Sequence, residues 1–412
     1  MNILFLSTEN PYPPDHGHYI RTYNVLKHVS RHHNVHFLGF IKSKEGFKNV
    51  EPIREMCKTA DVFIMPDDVS RARLYLSLFL NLFSPLPYIA QKYYRKSMKL
   101  KVEEILRKNK IDVVHFDMLH MSRYQTLMSD VPTVLTEHNV ESLRIHRLLK
   151  NSNSMVFKAF MYLQYFKLKN FEKRACARFD ACAAVSDDDM RVLKSMCPGA
   201  NLVVIPNGVD TDYFAPDDTH AIPDSLVWVG GMNNMYNREA VDFFLEEIFP
   251  LILGRIPDVK LTVVGKSPTR RLLHLADGNK NIEVAGYADD VRPYIRKAAV
   301  YVAPIKSGGG TKLKVLNALS MAKPVVTTSV GAEGIDVIDG EHLIIADDPI
   351  DFADRTVELL RNTQYAASLA EKGRRLMVEK YDWEIIGRKM NRLYEEVVAL
   401  KSDIQTTRYR FQ

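Results

Sequence analysis

From end to end the chain alternates short, nearly continuous apolar runs with longer stretches in which apolar residues recur at helical spacing. Short runs of this kind suit strands buried on both faces, and the alternation is the signature of βαβ units and a parallel sheet. In the first half the strand candidates are "NILFLST", "HNVHFLGF", "DVFIMP", "DVVHFD", "PTVLTEH" and "ACAAVS", followed by helical "DDDMRVLKSM" and then "NLVVIPNGVD". The pattern restarts with "SLVWVGG", "KLTVVGK", "IEVAGY", "VYVAP", "KPVVTTS" and "HLIIAD", separated by helical stretches such as "NREAVDFFLEEIFPLILGRI". The expectation is an α/β protein of two similar halves, residues 1–208 and 209–387. Between them "NGVDTDYFAPDDTHAIPDS", with its prolines and aspartates and no apolar period, reads as a connector. A last helical stretch, residues 388–412, is free to pack on either half, and its return to the first is the working assignment.

A length of 412 residues agrees with two domains. The opening "MNILFLSTEN" reads as a first strand and not as a signal peptide. The four cysteines (Cys57, Cys176, Cys182, Cys197) show no CxxC pairing and no histidines at metal spacing, which predicts free thiols, a reducing cytoplasmic setting and no metal. The longest apolar run, "LYLSLFLNLF", falls well short of the roughly 20 residues that span a bilayer. The net charge of +6 is unevenly spread: Lys92 to Lys110 holds eight Lys or Arg against Glu103 and Glu104. With the aromatic "LFSPLPYIAQKYYRK" beside it, this segment suits peripheral contact with an anionic membrane, on the inner face of the cell. It equally suits a solvated helix face over a hydrophobic groove. No nucleic-acid motif accompanies the charge, so a nucleic-acid partner is not expected.

In open α/β sheets ligands bind beyond the carboxyl ends of the strands, so the unusual strand-to-helix junctions are the candidates for chemistry. The first is "STENPYPPDHGHYIRTYNVL", a proline-shaped loop with Gly17, followed by Arg21 on a helix. The second places Glu137, His138 and Asn139 just after a strand, where polar groups are costly unless exposed or paired. His138 suits a hydrogen bond to a substrate hydroxyl or acid/base work. His115 and His120, without helical or metal spacing, read as packing residues or weaker acceptor-side candidates. The acidic run after Ser186 reads as a helix N-cap with first-turn carboxylates.

The third junction is "SGGGTKLKVLNAL", residues 307–319, behind the strand-like "AVYVAP". Free amides at a helix N-terminus attract phosphate, and glycine lets backbone approach a ligand closely. Lys312 and Lys314 add charge able to neutralise a diphosphate, though they do not share a helix face. The loop is neither a Walker A motif nor a dinucleotide fingerprint. Gly230, Gly231, Gly265 and Gly286 each follow another strand of this half, as do Gly331 and Glu333, and their convergence on one sheet edge favours a nucleotide cleft.

The stretches "VIPNGVDTDYF", "WVGGMNNMYNREAV", "VAGYADDVRPYI", "VAPIKSGGGTKLKVLNALSMAKPVVTTSVGAEGI" and "YDW", with "PYPPDHGHYIR" and "TEHNVESLRIHRL" ahead of them, resemble retaining glycosyltransferases of family four, in a glycine-rich-loop branch. The resemblance implies the GT-B fold, two Rossmann-like parallel-sheet domains facing a central cleft. It assigns the acceptor, a glycan or lipid-linked precursor, to the first domain and a nucleotide-diphosphate sugar to the second. No metal and no other cofactor is implied. By position Gly17 would lie near the donor diphosphate and His138 at the reacting sugar, with Arg21, Glu137 and Asn139 on the acceptor side. Gly309, Gly310 and Thr311 would offer amides, and Lys312 or Lys314 would balance the diphosphate. Many relatives carry two glutamates where this chain has Gly309 and Asn317, and an arginine where "GGMNNMYNR" offers Asn233, Asn234 and Arg238. Asn317 can still bond a ribose hydroxyl, but only as a neutral partner, which implies weaker donor binding. A non-catalytic nucleotide-sugar scaffold and a sugar-nucleotide epimerase are the alternative expectations on the same fold.

Overall fold

The structure is a computed structural model that describes all residues except 16, 66–70, 129, 151–154 and 411–412. The last two belong to the expected closing helix and His16 to the proline-shaped loop, so those positions lie outside the described residues. The chain divides into two units, Met1–Pro206 with Ile386–Gln412, and Asn207–Ile385.

The first unit is built on seven parallel strands: β1 (Asn2–Ser7), β2 (Asn34–Ile41), β3 (Thr59–Ile64), β4 (Val113–Asp117), β5 (Thr133–Glu137), β6 (Ala181–Ala184) and β7 (Leu202–Val204). Their order in the sheet is β3-β2-β1-β4-β5-β6-β7. Leu4, Leu6, Phe40, Val114, Phe116 and Leu135 are buried in one core beneath the helices, which is why these strands read as unbroken apolar runs. The second unit has β8 (Ile222–Val229), β9 (Lys260–Val264), β10 (Ile282–Gly286), β11 (Ala298–Ala303), β12 (Val325–Thr327) and β13 (Ile344–Ile345), ordered β10-β9-β8-β11-β12-β13. In both sheets the strand order therefore reverses beside the first strand, at β1/β4 and at β8/β11, the Rossmann-like switch point where α/β proteins bind ligands.

Two expectations change. The supposed connector after Pro206 is folded onto the second unit. Val209 N donates to Tyr381 O at 2.8 Å, Thr211 Oγ1 to Asp382 at 2.5 Å, and the Arg292 guanidinium stacks 3.6 Å from the Tyr213 ring centre. Its polar composition reflects this side-chain and backbone stitching, with few apolar anchors to reveal it. The basic segment from Lys92 to Lys110 is also less free than its charge suggests. On the helix Lys96–Lys108, Met98, Val102 and Ile105 are buried, while Lys101 pairs with Asp61 at 3.4 Å and Lys108 with Glu104 at 2.8 Å. The reading as a solvated face over a groove describes this helix better than a membrane contact does.

The closing helix, Trp383–Arg410, buries Ile386, Met390, Leu393, Tyr394 and Val397, a stripe at helical spacing, within the first unit. Tyr394 Oη lies 2.8 Å from His115 Nδ1, and Lys401 pairs with Asp180 at 2.9 Å. All four cysteines are free and buried. No helix among the described residues is long and apolar enough to cross a membrane.

Candidate functional site

At the β1/β4 switch point of the first unit the strand register sets Ser7 beside Asp117. Asp117 closes an otherwise apolar strand and is 3% exposed. Such a carboxylate must be fully bonded to be tolerated. It accepts from Ser7 Oγ at 3.2 Å, from Thr22 Oγ1 at 2.7 Å, and from His138 Nε2 at 2.7 Å, with His115 Nε2 at 3.9 Å. Burial by itself would raise the Asp117 pKa, but the neighbouring His138 and His115 rings outweigh it and hold the carboxyl well below its usual range. Because a carboxylate only accepts, Nε2 is the protonated nitrogen of His138. Its Nδ1 is buried with no hydrogen-bond partner among the described residues.

The other candidates of this unit sit differently. Arg21, on the helix Gly17–Ser30, is buried and donates to Ile205 O at 2.8 Å and to Pro206 O at 2.7 Å. Burial lowers its pKa to about 10 despite the attraction of Asp117 and Tyr394. Glu137 is buried with neither carboxylate oxygen hydrogen-bonded among the described residues, and burial, with Glu172 nearby, pushes its pKa well up. Glu172 instead caps the next helix, Glu141–Lys150, accepting from Glu141 N at 2.7 Å. Asn139 is half-buried and Gly17 exposed; a Cβ at Gly17 would meet nothing within 4 Å. His120 is buried, and desolvation lowers its pKa to about 4, in keeping with packing. Ser186 accepts from Asp189 N as the expected N-cap.

In the second unit the glycines assemble one edge. Gly265 donates to Gly286 O at 2.7 Å, and Gly230 donates to Val264 O at 2.8 Å. A Cβ on Gly265 would lie 2.0 Å from Gly230 O, so the two backbones touch in a way only glycine permits. Gly231 O accepts from Asn237 Nδ2 at 2.8 Å, and Asn237 Oδ1 accepts from Lys314 Nζ at 2.7 Å. The same ammonium stands 4.7 Å from the Trp228 ring centre and would meet a Cβ on Gly230 at 2.6 Å. Desolvation, helped by Lys312, lowers the Lys314 pKa to about 7.

The glycine loop that precedes the helix Leu313–Ser320 needs positive φ at Gly308 (113°) and Gly310 (71°), with Gly309 exposed between them. Lys312 stands at the helix N-cap, donates to Gly310 O at 2.6 Å and pairs with Glu333 at 3.6 Å. Thr311 Oγ1 reaches Gly334 O at 3.5 Å. Asn317 lies half-buried one turn after Lys314, and its side chain makes no hydrogen bond among the described residues. Of the residues offered in place of an arginine, Asn234 caps the helix Met235–Phe243 and Arg238 is exposed. Asn237, which sequence reasoning passed over, is the one that meets a lysine. Asp117 was missed as well; the only signal was a carboxylate ending an apolar strand. Among the described residues no group of three or more His, Cys, Asp and Glu is arranged to hold a metal.

Sequence comparison matches the first half, residues 17–213, to the family described as Glycosyltransferase Family 4, and residues 223–362 to Glycosyl transferases group 1. A protein in the cps region of Klebsiella pneumoniae is 23% identical over 92% of this chain and 96% of its own length. The phosphatidyl-myo-inositol mannosyltransferase of Mycobacterium leprae is 26% identical over 78% and 84%. Among solved structures, sucrose-phosphate synthase from Thermosynechococcus elongatus superposes with a TM-score of 0.71 at 15% identity, covering 97% of this chain and all of its own. Anabaena HepE in complex with UDP gives 0.66 at 13% identity, covering 96% and 100%.

Proposed function

The protein is a glycosyltransferase of the group 1 and family 4 type with the GT-B fold, and from that premise we propose that it transfers a sugar with retention of configuration. The donor is a nucleotide-diphosphate sugar bound by the second unit. The acceptor is a glycan or lipid-linked precursor bound by the first, and the reaction uses no metal.

The observation that carries this reading is Lys314. Its ammonium is delivered from the helix Leu313–Ser320 to the turn after β8, at the switch point of the donor-side sheet. A diphosphate leaving group develops negative charge, and a preorganised cation with loop amides stabilises it where water is excluded. Gly309, Gly310 and Thr311 supply the amides, and Lys312 keeps the loop shaped through Gly310 O. On the acceptor side His138 is the candidate to orient a substrate hydroxyl, its ring fixed by Asp117 at Nε2. The mannosyltransferase relative and the UDP complex of HepE support a nucleotide-sugar donor in general and leave base and sugar open.

Thermal shift across nucleoside diphosphates and their sugars, followed by transfer of labelled sugar to acceptor extracts, tests the proposal. A ligand that binds only the native state raises its melting point, so a flat response to every donor sinks it. Binding without transfer or hydrolysis would favour the scaffold, and release of an isomerised sugar the epimerase.

Two substitutions probe the roles. Asn317→Glu restores a charge-assisted bond to ribose and should tighten donor binding by about tenfold, since such bonds are about twice as strong as neutral ones; calorimetric titration reads this, and weaker binding would remove Asn317 from the site. Asp117→Asn keeps shape but frees the His138 tautomer, and turnover should fall about a hundredfold, the scale of a misplaced reacting group. Donor affinity, read in the second unit, should stay as it was. Unchanged turnover would make Asp117 purely structural.

A further inference from the structure

His115 lies two residues before Asp117 on β4, so strand alternation sets both side chains on the same face of the sheet. An imidazole in the middle of a buried strand is costly unless its nitrogens are partnered. The register pairs it with Phe5 on β1, and the two rings stack with centres 4.2 Å apart and planes within 8°. Tyr394, from the closing helix, meets the same ring edge-on, with centres 5.8 Å apart and planes at 89°. These contacts fix the plane of the imidazole. They leave open a half-turn flip of the ring and the choice of nitrogen that carries the hydrogen.

The Tyr394 hydroxyl settles both. Its Oη stands 2.8 Å from His115 Nδ1, and a flip would put a ring carbon there and strand a buried phenol. Burial lowers the His115 pKa against the pull of Asp117, so the ring is neutral and has one N–H. Burial, with Asp117 nearby, holds the Tyr394 phenol well above its usual range, so its O–H is kept. His115 Nε2 faces Asp117 Oδ1 at 3.9 Å. A lone pair on Nε2 would point at that carboxylate, whereas an N–H there is attracted to it. The hydrogen therefore sits on Nε2, and Nδ1 accepts from the Tyr394 O–H.

The two oxygens of Asp117 divide their work. Oδ2 accepts from Ser7 and Thr22, while Oδ1 accepts from His138 Nε2 at 2.7 Å and faces His115. Four buried groups thus follow one another from the closing helix to the residue after β5: Tyr394, His115, Asp117 and His138. Each sets which hydrogen or lone pair the next presents. A tyrosine buried only for packing would be satisfied by any nearby carbonyl. This one ends on a ring whose other nitrogen faces the carboxylate that holds His138.

We propose that Tyr394 is a positioning residue for sugar transfer: by fixing the tautomer of His115 it keeps Asp117 charged and aimed at His138. The inference rests on His138 as the residue that orients the substrate hydroxyl. It gives the closing helix a part in the reaction, through a contact between residues 279 positions apart in the chain. His115 takes on the same role, which its place inside a strand had hidden.

Long-range 15N–1H spectra of the full-length protein with 15N-labelled histidine test it, with His115→Gln and His138→Gln identifying the two sets of signals. In the parent both rings should carry hydrogen on Nε2. In Tyr394→Phe the His115 signals should move toward hydrogen on Nδ1, and the His138 Nε2–H signal should shift with them. Turnover should fall about tenfold, the worth of one hydrogen bond, while nucleoside-diphosphate affinity stays as in the parent. In the His115→Gln background the same change should cost no further turnover, because a residue acting through another loses its effect once the other is gone. His115→Phe keeps the stack on Phe5 and loses the N–H, so it should lower turnover even if Tyr394→Phe does not fold. A His115 tautomer identical with and without the hydroxyl overturns the proposal. So does unchanged turnover in Tyr394→Phe or His115→Phe, or a loss that adds in full to that of His115→Gln. If the parent transfers sugar from no donor, the proposed activity fails, and the His115 and His138 signals still decide whether Tyr394 governs the pair.

Discussion

Lys314→Met abolishes most of the transferase activity: turnover should drop by about two to three orders of magnitude, the effect of removing one preorganised charge from a leaving group. The fold should survive, because methionine keeps the stem over Trp228 and removes a desolvated amine whose burial opposes folding. Lys312→Met should cost less, since its ammonium is engaged with Gly310 O and Glu333. Equal turnover in both variants and the parent would refute the assignment. A pH signature distinguishes direct contact from a structural role. In the free protein Lys314 titrates near 7, depressed by burial. A diphosphate beside it favours the charged form, so the complex holds more protons than the free protein. Nucleoside-diphosphate affinity should therefore weaken as pH rises above about 7, by up to about tenfold per unit, until the raised pKa of the complex is passed. Lys314→Met should lose that slope, which titration calorimetry between neutral and alkaline pH would show.

Gly265→Ala has the other large effect, and it falls on the fold. The new methyl carbon would sit 2.0 Å from Gly230 O and 2.5 Å from its carbonyl carbon. The atom it strikes is backbone, with no flexible side chain to swing away, and Gly230 N is itself bonded to Val264 O. The turns after β8 and β9 must part, at a cost of about 3 kcal/mol or more, the upper range for overpacking. The variant should show a lowered urea midpoint and lose nucleoside-diphosphate binding even where it remains folded, because the displaced turn carries Gly231, whose carbonyl holds Asn237. A midpoint equal to the parent's would mean that the contact relaxes cheaply.

Every strand of both sheets coincides with a run rich in apolar residues, because parallel strands covered by helices bury most of their side chains, and charge enters mid-strand at the sheet edges, as Asp61 on β3 and Glu283 on β10. The glycine junctions were legible for the same reason: they mark where each buried strand must turn. Partnerships were not. Asp117 meets Thr22 and His138 only because β1, β4 and β5 lie side by side, and no local pattern encodes that adjacency. Lys314 could be suspected from its loop, yet its partner Asn237 lies 77 positions away on another element. The same applies to Lys101, whose charge is answered by Asp61 from a neighbouring strand.

Arg21 and Thr22 are adjacent on one helix and hold opposite kinds of partner. Thr22 bonds the buried carboxylate of Asp117, while Arg21 grips the carbonyls of Ile205 and Pro206, the last residues before the chain leaves the first unit. One turn of helix thus anchors both the Asp117–His138 pair and the exit of the polypeptide. An alanine scan scored by product formation alone would rank Arg21 beside Lys314 and write a guanidinium into the chemistry. Denaturation midpoints measured on the same samples would move it to the architecture, where its two carbonyl bonds place it.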